Sequence, residues 1–260
     1  MDNRALDLIW MPTFRCNLSC AFCAARSLPV RAHGIELPPA EWIEIFAACP
    51  HEINQVALTG GEPSIYRGLA DVISAGHWRI CIDTNLRVAP ETWLRPDDYD
   101  RVKAVNAGLQ WDPDHEEAAR YWQHLRWLVE RLPAAHIAVC HTVLWRDRPE
   151  MWDRARAHTE ASGAHEYRQQ AFDDTFLWRD RWPQTPGRRA QCAAGYDAAT
   201  IMPDSSVYRC IGHCYYKVQC LGNLKADGWG ILLPEPEPCE VLFCTTCDQA
   251  NKAAIEEARA

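Results

Sequence analysis

Short apolar runs alternate along this chain with longer stretches whose apolar residues recur every three or four positions. Residues 6–10, Leu6 to Trp10, read as a strand that ends in a cysteine-bearing loop. Residues 39–49 read as a helix, opened by Pro39 and carrying Trp42, Ile43, Ile45 and Phe46 on its apolar face. The pattern then predicts a strand over 55–59, a helix over 66–75, a strand over 78–83 and another over 102–109. A long helix over 116–132, an apolar strand over 136–145, a helix over 150–162 and a strand over 167–172 follow. Strand and helix in steady alternation predict a parallel sheet, whose chemistry lies at the C-terminal ends of its strands.

The pattern changes after residue 178. Residues 179–190 mix Pro183, Pro186 and Gly187 with charges and read as a linker. Residues 191–260 are cysteine-rich, with short strands and turns, and close on a short helix. The predicted organisation is therefore a domain over 1–178, a linker, and a small extension. At 48% hydrophobic residues the chain can bury a core. A net charge of -8 without a block of Lys or Arg does not suit nucleic acid as primary substrate. No apolar run reaches a membrane span, and Met1-Asp2-Asn3-Arg4 does not open a signal peptide. A cytoplasmic location is expected, where 13 cysteines point to metal or redox centres rather than disulfides.

The cysteines fall in two groups. Cys16-Asn17-Leu18-Ser19-Cys20-Ala21-Phe22-Cys23 has C-x3-C-x2-C spacing and sits just after the first predicted strand. Three thiolates can hold three irons of a [4Fe–4S] cube and leave the fourth open; zinc also takes closely spaced cysteines, but no fourth ligand is local. Thr59-Gly60-Gly61-Glu62-Pro63 follows the second strand and offers backbone contacts and one carboxylate. With the flanking Thr13 and Arg15, these motifs closely resemble the radical SAM superfamily.

That resemblance implies a partial (β/α)6 TIM-like barrel over the first domain. It implies that Cys16, Cys20 and Cys23 bind the catalytic cluster, whose open iron takes the amino and carboxylate groups of S-adenosylmethionine (SAM). Glu62 would stand by the SAM ammonium, with Gly60, Gly61 and Pro63 shaping the approach. Phe22 would lie by the adenine, Thr84 and Asn85 would form the ribose-side turn, and Gln110 to Asp112 would meet SAM from the next strand. Leu86 departs from the family's glycine after Thr-Asn, and Gln110-Trp111-Asp112 from its Ser-x-Asp. Cys49, Cys81 and Cys140 lie in helix or strand patterns and read as small buried hydrophobes.

The second group comprises Cys192, Cys210, Cys214, Cys220, Cys239, Cys244 and Cys247. Together with Gly195, the turn at Asp204-Ser205-Ser206 and the Cys244-Thr245-Thr246-Cys247 pair, it resembles the SPASM/Twitch extension of radical SAM enzymes. The family's turn carries glycine where Ser205 stands. The shorter Twitch form implies one auxiliary [4Fe–4S] cluster on Cys192, Cys210, Cys244 and Cys247. Cys214, Cys220 and Cys239 are left to ligate a second cluster, to replace one of the four, or to remain thiols. His213 is read as a surface residue, with ligation as the alternative, and zinc stays open for the whole extension.

The implied chemistry is reductive cleavage of SAM and abstraction of a substrate hydrogen. In architecture the chain resembles 2-deoxy-scyllo-inosamine dehydrogenase-type Twitch enzymes, which implies oxidation of a small-molecule natural-product intermediate with the auxiliary cluster taking an electron. A flavodoxin or ferredoxin-type donor would feed the catalytic cluster. His141, Glu166, Arg168 and Gln169, on the late strands, are the candidates for a base or hydrogen-bonding group. Two alternatives stand beside this: a peptide-modifying maturase or epimerase, and a non-catalytic iron–sulfur or zinc-binding protein.

Overall fold

The structure, a computed structural model, describes residues 4–20, 23, 35–144, 149–172, 191–192, 194–216 and 219–238. Six strands, β1 (Ala5–Trp10), β2 (Glu52–Leu58), β3 (Arg79–Thr84), β4 (Val102–Leu109), β5 (His136–Leu144) and β6 (Glu166–Phe172), lie side by side in chain order. All five pairings among them are parallel. Helices α1 (Pro39–Ala47), α2 (Leu69–Ala75), α3 (Glu116–Arg131) and α4 (Pro149–Ser162) connect them, and the β3–β4 link is made of two 3₁₀ segments. This is the parallel sheet expected from the alternating pattern and the partial barrel that the resemblance implied.

Burial explains which strand face meets the helices. Leu6, Leu8 and Trp10 of β1 are buried at every second position, as are Ile80 and Ile82 of β3. The Trp10 indole packs edge-on against Trp42 and Phe46 of α1, each with ring centroids 5.3 Å away. α1 starts at Pro39, where proline's fixed φ suits a first turn. α3 starts behind His115, whose ring accepts from the Glu117 N–H, and buries Ala118, Tyr121, Trp122, Leu125 and Leu128.

The helix expected over 66–75 is shorter. Gly68, left-handed at φ 84, turns the chain just before α2. A Cβ there would lie 2.3 Å from the Pro39 ring, so the turn and the start of α1 are packed together.

The cysteine-rich segment does not stand apart from the barrel sheet. Strand β7 (Gln191–Cys192) pairs with β11 (Glu237–Pro238), while β8 (Ala198–Ile201) runs parallel to β1 on its outer edge. β9 (Ser206–Tyr208) and β10 (Cys220–Asn223) continue the sheet antiparallel, giving nine strands in the order β10-β9-β8-β1-β2-β3-β4-β5-β6. The Trp229 indole donates to the Ile45 carbonyl at 2.8 Å and ties this segment to α1. Two short helices, α5 (Ile211–Tyr216) and α6 (Leu224–Asp227), flank β10. The linker and the C-terminal helix lie outside the described residues. Among those described, no helix is long and apolar enough to cross a membrane.

Candidate active site

The loop after β1 and the turn after β2 are joined backbone to backbone. Gly61 N–H donates to the Thr13 carbonyl at 2.9 Å, and Glu62 N–H to the Arg15 carbonyl at 2.8 Å. A Cβ on Gly60 would lie 2.7 Å from the Thr13 carbonyl oxygen, and one on Gly61 2.0 Å from that of Arg15. These glycines are required by the cysteine loop itself, which leaves no room for a side chain. Arg15 is steadied by an ion pair to Glu36, with Nε–Oε1 at 2.7 Å.

The loop then presents its thiols. Cys16 is exposed, and its sulfur accepts from the Leu18 N–H at 3.3 Å and from the Asn85 side-chain amide at 3.8 Å. Cys23 N–H donates to the Cys20 carbonyl at 3.2 Å, closing a short turn between the two other cysteines. Surrounding protein pushes the Cys16 thiol up; the Leu18 N–H pulls it back, the charges of Glu62 and Cys23 raise it, and the Asn85 amide lowers it. Among the described residues no three His, Cys, Asp or Glu side chains stand close enough to share one metal ion. Thiolates on separate irons of a cube stand farther apart than ligands of a single ion. The donor set, three thiols on one loop with N–H groups aimed at the Cys16 sulfur, thus fits a cluster better than a lone zinc. Phe22 lies outside the described residues.

Glu62 is the hub that joins this loop to β3. Its carboxylate, 2% exposed, accepts from the Ser64 N–H (3.1 Å), the Ser64 hydroxyl (2.6 Å), the Thr84 hydroxyl (2.8 Å) and the Asn85 N–H (2.7 Å). Burial raises its pKa while these donors pull it down. The buried Pro63 opens the 3₁₀ turn that brings Ser64 into place. Leu86, where the family pattern has glycine, adopts the same left-handed backbone at φ 53. It is held by its N–H on the Thr84 hydroxyl (3.2 Å) and by the His124 ring donating to its carbonyl (2.7 Å). Asn85 carries its amide between Asn17 Oδ1 (2.8 Å) and Cys16. Ser64, Asn17 and His124 were not singled out by the sequence, because only the folded turn brings them to these partners.

The loop after the fourth strand carries an ion pair to a helix. Gln110 follows β4 directly, but Asp112 is turned onto α4, where both its oxygens receive Arg154 at 3.2 and 3.0 Å. Arg154 also pairs with Asp114 at 2.8 Å, and His158 reaches Asp114 at 2.9 Å. Asp112 thus fastens the β4–α3 loop to a helix.

The late-strand candidates divide between two faces. His141 is 0% exposed and meets the Tyr167 hydroxyl at 2.9 Å, while Tyr167 lies under Arg156 of α4. His141 therefore belongs to the sheet–helix layer, and Gln169, two positions from Tyr167, shares that side. Glu166 and Arg168 occupy the other, concave face. Arg168 grips Glu166 through Nε and a terminal nitrogen (2.8 and 2.7 Å) and reaches Asn106 Oδ1 at 3.3 Å. Asn106 in turn donates to Asp83 at 2.8 Å. Arg168 and His136 hold the exposed Glu166 carboxyl down at about 2. Surrounding protein instead pushes Asp83 up, against the donors Asn106 and Thr59. Asn106 and Cys140 join this face unforeseen; Cys49, Cys81 and Cys140, all expected to be buried, are only partly so. The available signal in the sequence was Asn106, a polar residue alternating with the apolar Val105, Ala107 and Leu109 of β4.

In the extension, Cys210 follows β9 and Cys214 lies on α5, with Cys214 N–H donating to the Cys210 carbonyl at 3.0 Å. Cys220 opens β10 opposite Tyr208. Cys192 is placed in β7 by its backbone, and Cys239, Cys244 and Cys247 lie outside the described residues. Ser205 keeps the glycine-like left-handed turn at φ 66, its hydroxyl donating to Asn223 Oδ1 at 2.8 Å. His213 is not a surface residue: it is 1% exposed.

The family profile described as "Radical SAM superfamily" matches residues 10–144, from the end of β1 to the end of β5. The chain belongs to the radical SAM superfamily, and the family implies a [4Fe–4S] cluster and SAM. A "Probable GTP 3',8-cyclase" of Methanopyrus kandleri is 34% identical over 76 residues, which is 28% of this chain and 24% of that protein. The fold is similar to Streptococcus suis SuiB bound to S-adenosylmethionine, with TM-score 0.59 and 12% identity over 87% of this chain and 63% of SuiB. BtrN in complex with AdoMet and 2-DOIA aligns at TM-score 0.44 and 15% identity, covering 88% of this chain and 81% of BtrN.

Proposed function

We propose that this chain is a radical SAM oxidoreductase acting on a small-molecule natural-product intermediate. The observation that carries the SAM-cleaving part is the cysteine loop joined to Gly61 and Glu62, with Cys16 under the Asn85 amide. Cys16, Cys20 and Cys23 would hold the cluster. When bound, cluster and SAM supply one-electron cleavage of the sulfonium and a nucleoside radical that abstracts hydrogen. Glu62 keeps the three loops in one arrangement, and the glycines hold the cysteine loop against it. A flavodoxin or ferredoxin-type protein would deliver the electron.

The substrate would occupy the concave face beneath this site. Oxidation of a carbinol there releases a hydroxyl proton and needs an acceptor. Glu166 is poorly suited, because Arg168 and His136 hold it ionised and engaged. Asp83 suits the role better, as its raised pKa makes it the more proton-seeking carboxylate of the two. Arg168 and Asn106 would orient the substrate oxygens. An auxiliary cluster on the extension would take the second electron, with Cys192, Cys210, Cys244 and Cys247 as its ligands.

The test is anaerobic reconstitution with SAM and dithionite. Formation of 5′-deoxyadenosine supports the reading, and its absence from protein loaded with iron and sulfide contradicts it. Iron should reach about eight per chain for two cubes. Incubation with hydroxylated small molecules and with peptides then separates a small-molecule oxidase from a peptide maturase, and Asp83→Asn should suppress oxidation while leaving SAM affinity intact.

A further inference from the structure

His213 is 1% exposed, and among the described residues neither of its buried ring nitrogens has a hydrogen-bond partner. A neutral imidazole has one donor and one acceptor to satisfy, and native interiors satisfy them with protein, water or a bound ion. Two polar side chains close by in sequence are already engaged elsewhere. Arg209, one of the buried polar groups nearby in sequence, spends its guanidinium on the carbonyls of Ala194 and Glu237. The Tyr208 hydroxyl is engaged with Cys220. The local core is Met11, Met202, Tyr208 and Cys214, with Ile9, Phe14 and Ile211 against it.

The backbone groups His213 with cysteines. Cys214 N–H bonds to the Cys210 carbonyl at 3.0 Å, so a helical turn begins at Cys210. Positions 210, 213 and 214 then stand at i, i+3 and i+4, along one face of that turn. A soft-donor face with a buried, unsatisfied imidazole is what a metal centre would complete.

We propose that the missing partner of His213 is the auxiliary iron–sulfur centre of the extension, touched directly by a ring nitrogen beside Cys210. The proposal rests on the reading that the extension holds such a centre. Nitrogen in the coordination shell, or an N–H on a cluster sulfur, raises the reduction potential above that of a plain four-thiolate cube.

The experiment uses the full chain carrying Cys16→Ala, Cys20→Ala and Cys23→Ala, reconstituted anaerobically so that the auxiliary centre alone remains. With 15N-labelled histidine, pulsed electron paramagnetic resonance of the reduced centre should show a histidine nitrogen coupling. His213→Leu should abolish it and shift the potential lower. His213→Gln, which keeps a donor, should retain part of the shift. A reduced cluster without nitrogen coupling, with a potential unmoved by His213→Leu, overturns the proposal while leaving the auxiliary centre standing. Absence of iron from the triple variant, with wild-type iron near four per chain, overturns both. Should the triple variant not fold, the same two measurements on the wild-type frame with His213→Leu decide it, since the signals of the SAM-binding cluster respond to SAM and those of the auxiliary centre do not.

Discussion

Leu86 and Ser205 both occupy positions where the family pattern has glycine, and both are left-handed, at φ 53 and φ 66. A non-glycine residue there costs about 1–2 kcal/mol, so local contacts must repay it. Ser205 does so through its hydroxyl on Asn223. Ser205→Gly removes strain and one hydrogen bond together and should change stability by less than about 0.5 kcal/mol. Ser205→Ala keeps the strain and loses the bond, and should cost about 1 kcal/mol in denaturant melts. Glu166 gives a pH signature. Its folded pKa of about 2 lies below the ordinary 4.5, so its pairing stabilises the fold above pH 4.5 and is lost as pH falls toward 2. Acid titration of the metal-free chain should show Glu166→Gln differing from wild type at neutral pH and converging with it below pH 2. A constant offset across that range would refute the pairing. The motif residues at this scale were legible in the sequence. The geometry that gives them work was not, because Glu62 finds its donors on Ser64, Thr84 and Asn85 only when β2 and β3 are aligned.

At the scale of elements, the alternation of apolar runs marked all six barrel strands and the four helices between them, since each buries one face. Its errors were of a non-local kind. The late start of the helix predicted over 66–75, at Leu69, depends on the Pro39 ring packing at Gly68. The Arg154 that pairs with Asp112 was equally hidden from the pattern, because it comes from α4. That latch is half-exposed on both sides, so its worth is about 0.5–1 kcal/mol. Asp112→Asn should therefore lower the melting temperature slightly and leave SAM affinity within about twofold of wild type. A tenfold loss of SAM affinity, measured by calorimetry, would return Asp112 to the site.

For the whole molecule, the extension caps the open edge of the barrel sheet: β8 covers β1 along Asp7 to Trp10. Removing residues 191–260 would bare that edge and release the Trp229 anchor on α1. The shortened chain should aggregate or lose its cooperative melt, whereas a monomeric, cooperatively folding product would show that the barrel stands alone. Composition announced the extension through its cysteines, but pairing of β8 with β1 was hidden, because four-residue strands carry little pattern. His213 was hidden likewise, since it lies on a helix that packs against β8 and β9.

The account depends most on the cysteine loop after β1. Its most direct test is 5′-deoxyadenosine production from SAM under dithionite, comparing reconstituted wild type with the variant carrying Cys16→Ala, Cys20→Ala and Cys23→Ala. The account predicts nucleoside from the wild type and none from the variant, which should still retain the iron of its extension. Equal nucleoside from both, or none from an iron-loaded wild type, would contradict it.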